Sequence, residues 1–144
     1  MNEFILLQNY ARNLLLRYFL GCGGVLDVEP GFKGSLEVFM KDWRGKVKVV
    51  GRECSGRVLL VDPRWQDEGA RMLAVYLQDC GMVWLIDAPK LWAFIERDGK
   101  LLDERHGKTV IPWATIKQRL GGELVDLRCV PYLDFDLYRE LHAE

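Results

Sequence analysis

The chain has 144 residues, 49% hydrophobic and 28% charged, with a formal net charge of −1. These are ordinary globular values rather than those of a disordered chain, and they argue against a protein that coats DNA through charge alone. The length suits one globular domain over residues 1–144, and five tryptophans, a residue rarely spent on a loose surface, point to a well-filled core.

Phe4, Leu7, Ala11, Leu14, Leu15 and Tyr18 recur at helical spacing and predict an amphipathic helix over residues 3–19. The glycines of "GCGG" (21–24) end it, because glycine accepts the left-handed cap conformation. Gln8, Asn9, Arg12, Asn13 and Arg17 interrupt this stretch, so it does not read as a signal peptide. No run reaches the ~20 apolar residues of a membrane span. "VLDVE" is a short strand stopped by Pro30, with Asp27 and Glu29 on one face. A hairpin follows over residues 35–54, with Leu36, Val38 and Met40 on one face, Val47 and Val49 opposite, and "DWRG" as the turn.

"RVLLVD" (57–62) is a continuous apolar run and predicts an interior strand. From Gln66 to Cys80 the spacing of Met72, Val75 and Tyr76, with Leu73 also a candidate, predicts a helix stopped by Gly81. "MVWLID" (82–87) is a second apolar strand. These three segments make a strand-helix-strand unit whose strands are expected to be parallel. Between 87 and 104 a helix capped by Asp87, with proline in its first turn, is favoured over a hairpin turning at Asp98-Gly99. "IPWATIKQRLGG" predicts a short helix opened by Pro112 and closed by Gly121, "ELVDLRCV" a late strand, and Asp134 the cap of a final helix. The predicted class is α/β (α+β): a mixed sheet with an antiparallel meander and a strand-helix-strand unit, flanked by helices.

The four cysteines, Cys22, Cys54, Cys80 and Cys129, contain no Cys-x-x-Cys pair, and with only His106 and His142 no zinc spacing can be written. Four reduced, packed thiols in a reducing cytoplasm are the expectation. A phosphate loop is excluded because "GCGG" follows a helix and precedes a strand, the reverse of the order that aims amides at a phosphate. The only serines, Ser35 and Ser55, sit on no nucleophile elbow. A cysteine nucleophile served by His106 has no supporting spacing.

Acids near both ends of the hairpin raise one catalytic reading. A helix, three strands, then a helix and another strand, over roughly residues 3–87, resemble the restriction-endonuclease-like, or PD-(D/E)XK, nuclease fold. That resemblance implies a magnesium ion held by two acids beside the scissile phosphate. Carried over, Glu37 stands for the first acid and Glu53 for the second. The family's lysine two positions later is Ser55 here, and Lys41 and Lys48 stand at other spacings, so the catalytic signature is absent.

Charge layout supports a different reading. Residues 41–57 hold six basic residues against two acids, an excess of +4, and residues 123–144 show the opposite excess of −4. Two solvated faces explain this blandly. A docking surface explains it more sharply, with Trp43 at the turn tip as aromatic anchor and Arg44, Lys46, Lys48 and Arg52 around it. Arginine beside tryptophan also suits stacking on a nucleic-acid base, which the overall acidity disfavours relative to a protein partner. The expected function is therefore non-enzymatic, without cofactor: an interaction or regulatory protein binding a larger machine, such as a transcription or replication enzyme, by analogy with short accessory or phage-encoded regulators. The alternative is a magnesium-dependent nucleic-acid-processing enzyme using Glu37 and Glu53.

Overall fold

The computed structural model describes residues 3–22, 24–30, 35–52, 57–78 and 80–132. Helix α1 (Glu3–Leu20) is followed by strands β1 (Val25–Pro30), β2 (Leu36–Met40), β3 (Arg44–Arg52) and β4 (Val58–Val61). The one-turn helix α2 (Arg64–Asp67) leads to β5 (Met72–Leu77), β6 (Met82–Asp87) and α3 (Ala88–Asp98). After a 3-10 turn come β7 (Asp103–Arg105), β8 (Lys108–Pro112), α4 (Trp113–Thr115, continued by a π turn over Ile116–Leu120) and β9 (Glu123–Asp126). The strands form a six-stranded mixed sheet, in the order β1-β2-β3-β5-β6-β9, and a three-stranded antiparallel sheet, β4-β8-β7. This is the expected α+β class, and β1-β2-β3 is the expected antiparallel meander.

Two apolar cores lie on the two faces of the large sheet. On one face Ala11, Leu14, Leu15 and Leu16 of α1 meet Leu36, Val38, Val47, Val49, Ala74, Tyr76, Val83 and Leu85. On the other, Leu73, Val75, Trp84 and Ile86 meet Leu91 and Phe94 of α3, Leu59, Val61 and Ile111 of the small sheet, and Ile116. The alternation of side chains along each strand assigns residues to faces, and each buried leucine or valine contributes ~1.5–3 kcal/mol. Because β5 and β6 are covered on both faces, they read as unbroken apolar runs.

That double burial overturns the helix expected over 66–80. Only Arg64–Asp67 is helical, and "MLAVYL" is strand β5, its alternate residues feeding the two cores. Met72, Val75 and Tyr76 imitate helical spacing only because every position in the run is apolar. The strand-helix-strand unit changes accordingly. β5 and β6 form an antiparallel hairpin, and the parallel pair in the large sheet is β3–β5, reached through β4 and α2. "RVLLVD" is not interior to the large sheet: β4 is an edge strand of the small one, paired with β8.

The favoured helix at 88–98 is present. The Asp87 carboxylate accepts from the Lys90 N–H at 3.0 Å, and proline occupies its first turn. A hairpin does lie nearby, between β7 and β8, turning on His106 (φ 53°) and Gly107 (φ 76°), the paired left-handed conformations of a type I′ turn. The final helix expected after Asp134 lies outside the described residues. Cys80 is disulfide-bonded while Cys22 and Cys129 are free, so the expectation of four reduced thiols fails. Tertiary proximity, which spacing does not reveal, decides pairing. No helix among the described residues is long and apolar enough to cross a membrane.

Candidate functional site

The meander places side chains in rows across its three strands. Glu29, Glu37 and Lys46 stand opposite one another, and Asp27, Phe39 and Arg44 form the adjacent row. Val28, Val38 and Val47 occupy alternate positions and face α1, so both rows point the other way. The second core contains no residue of β1 or β2. Among the described residues this part of the sheet is left open: Asp27, Glu29 and Arg44 are exposed, and Glu37, Phe39 and Lys46 are half-buried.

The charges on this face are unequally committed. The Arg44 guanidinium lies 5.2 Å from the centre of the Phe39 ring, a cation–π contact. Lys46 Nζ donates to the Glu68 carbonyl at 3.3 Å, and Lys48 Nζ meets the Glu68 carboxylate at 2.8 Å. By contrast, Asp27, Glu29 and Glu37 form no ion pair among the described residues. The face is therefore acidic along β1 and basic along β3. Glu29 directly opposite Glu37 is a like-charged cross-strand pair, which costs stability rather than adding to it.

The binding residues expected from the sequence divide. Arg44 and Lys46 belong to the open face. Trp43 is not a free anchor at the hairpin tip: it is half-buried, packs against the α1-side core, and carries the Arg71 guanidinium 5.6 Å from its ring centre. Arg71 Nη1 also donates to the Arg44 carbonyl at 3.0 Å, which holds it there. Trp43 lines a cleft of about 280 Å3 with Arg71, Leu85 and Leu120. Lys48 is not a docking cation either, since it is only 7% exposed and neutralised by Glu68. Arg52 ends β3, and its side chain lies outside the described residues, as does all of Glu53. The Glu37–Glu53 pair is therefore not described, although Glu37 is placed between Glu29 and Lys46.

A larger cleft, about 420 Å3, opens beside β3 beyond the end of β2 and is lined by Gln8, Lys48, Asp62, Arg64, Trp65 and Lys108. Gln8 Nε2 donates to the Val49 carbonyl at 3.0 Å. The Asp62 carboxylate is buried, receives the Arg64 backbone N–H at 3.0 Å and grips the Arg64 guanidinium at 2.7 Å. These bonds, opposed by burial, hold Asp62 down at about 2. The "DPR" that closes the "RVLLVD" run is a recognisable turn signature and was the available pointer to this arrangement. Two of its three cations, Lys48 and Arg64, already hold carboxylates. Among the described residues no three His, Cys, Asp or Glu side chains converge as a metal site. Compared with models of known protein families and with curated protein sequences, the chain matches none.

Proposed function

We propose that this chain is a non-enzymatic binding protein that docks a larger protein through the open face of the β1-β2-β3 meander. The observation that carries the reading is the pair of rows Glu29–Glu37–Lys46 and Asp27–Phe39–Arg44, which run from acid on β1 to base on β3 around a central aromatic ring. Aromatic residues and arginine are enriched in protein interfaces, and Phe39 with Arg44 supplies both. Three carboxylates without an ion pair among the described residues repel a polyanion. A protein surface offering a basic stripe to β1 and an acidic one to β3 complements both margins, which confers specificity and speeds encounter. The partner class extends to a large machine of transcription or replication, on the analogy of short regulators.

Affinity capture from host lysate tests this with three baits: the natural chain, Asp27→Lys/Glu29→Lys, and a control with Lys100→Glu on the exposed 3-10 turn. The expected result is a protein retained by the natural chain and the control, reduced by roughly tenfold or more on the β1 variant, and indifferent to nuclease. Equal capture by all three baits, or a catch that disappears with nuclease, overturns the proposal.

A second reading has one supporting observation: Glu29 directly faces Glu37, with Lys46 next in the row, the residue types of a magnesium-dependent nuclease. Magnesium titration followed by amide chemical shifts separates the readings. Shifts localised at Glu29 and Glu37 support the enzyme, and their absence leaves the docking face.

A further inference from the structure

We infer that Cys22 and Cys129 together form a two-thiolate site for a soft monovalent cation of the copper(I) or silver(I) class. Both thiols are free, and both line one open pocket of about 300 Å3, walled also by Arg17, Tyr18, Val130 and Pro131. Each cysteine sits on anchored backbone. On one side Gly21 N–H donates to the Tyr18 carbonyl at 3.1 Å and Cys22 N–H to the Phe19 carbonyl at 3.0 Å, closing the end of α1. On the other, Leu127 N–H donates to the Gly81 carbonyl at 3.0 Å and Val130 N–H to the Leu127 carbonyl at 3.1 Å, while Val130 packs against the core.

The donor set selects the ion. Among the described residues no carboxylate or imidazole lines the pocket, and its two thiolates prefer soft metals over hard divalent cations. The Cys22 thiol donates to the Tyr18 carbonyl at 3.3 Å, and its proton is one of the two that binding releases. Binding follows 2 RSH + M⁺ → [RS–M–SR]⁻ + 2 H⁺, so it releases protons and leaves one negative charge. Arg17 at the pocket wall offsets that charge.

The test is an anaerobic titration of the full chain, without reductant, with copper(I) supplied from its bathocuproine disulfonate complex. Cys80, being disulfide-bonded, does not compete. The expected result is one copper(I) per chain, with Cys22→Ser and Cys129→Ser each weakening binding by about 100-fold or more. Thermal melting of both variants checks that they fold, and Cys129, being exposed, tolerates serine if Cys22 does not. Failure of the natural chain to take copper from the chelator overturns the inference. So does a folded single variant that holds copper as tightly as the natural chain, because either thiol alone then suffices.

Discussion

Removing Glu68 is expected to harm the protein more than removing the lysine it serves. Lys48 is 7% exposed and its Nζ lies 2.8 Å from the Glu68 carboxylate, whose side chain keeps 31% of its surface in water. With an effective dielectric of about 20, that separation corresponds to a Coulomb attraction of roughly 6 kcal/mol, most of it cancelled by the hydration both groups surrender. Glu68→Ala leaves a buried ammonium without its carboxylate. A fully buried pair broken in this way costs ~3–5 kcal/mol; the partial exposure of Glu68 lowers the expected cost to about 2–3 kcal/mol. Lys48→Met removes the charge while keeping the aliphatic stem, and the glutamate rehydrates, so its cost is expected below ~1 kcal/mol. In the Lys48→Met background Glu68→Ala is then expected to cost no more than ~0.5 kcal/mol. Urea denaturation of the four proteins measures the cycle. Equal losses from the two single changes, or additive losses in the double one, would refute the reasoning. A Lys48→Met protein that keeps its stability but loses partner affinity would restore Lys48 to the docking surface.

Leu85 is buried in the α1-side core, so Leu85→Ala is expected to cost ~2–5 kcal/mol, read as a lowered melting temperature; a loss under about 1 kcal/mol would contradict its place in β6. Asp62 is held at about 2 when folded, below the ~3.9 of a free aspartate. Its contribution to stability is therefore complete above about pH 4 and lost as the pH falls towards 2, so the natural chain should lose stability over that window more steeply than Asp62→Asn; matched slopes would dismiss the role of Arg64. Thiol titration of the denatured chain without reductant should find two free thiols, those of Cys22 and Cys129, and four after reduction; four before reduction would contradict the disulfide at Cys80.

Legibility in the sequence followed how far each element's causes extend along the chain. The β2–β3 hairpin was readable because its alternation and its turn residues are local, and α3 because Asp87 and the following proline announce its start. β5 was hidden because burial on both faces erases the period that separates strand from helix. The small sheet was hidden because β4 meets β8 some fifty residues later, and because the left-handed His106-Gly107 turn looks weaker than Asp98-Gly99. The site shows the same division. Position in the hairpin placed Glu37, Arg44 and Lys46, but the coverage of Trp43 depends on Arg71 and the neutralisation of Lys48 on Glu68, both beyond the hairpin and β4. Local chemistry names the residues of a surface, whereas distant packing decides which of them reach solvent.

The outer border of the meander has a bearing on how copies of this chain treat one another. β1 is a terminal strand of the large sheet, the kind of border on which a neighbouring molecule can template a further strand. Here the register breaks between Val25 and Asp27, Pro30 offers no amide hydrogen at the far end, and Asp27 and Glu29 project negative charge from the stretch between. Each device interrupts self-templated growth. Together they blunt the rim of β1 against edge-to-edge pairing between copies of this chain, the hazard that an unprotected terminal strand carries in concentrated solution.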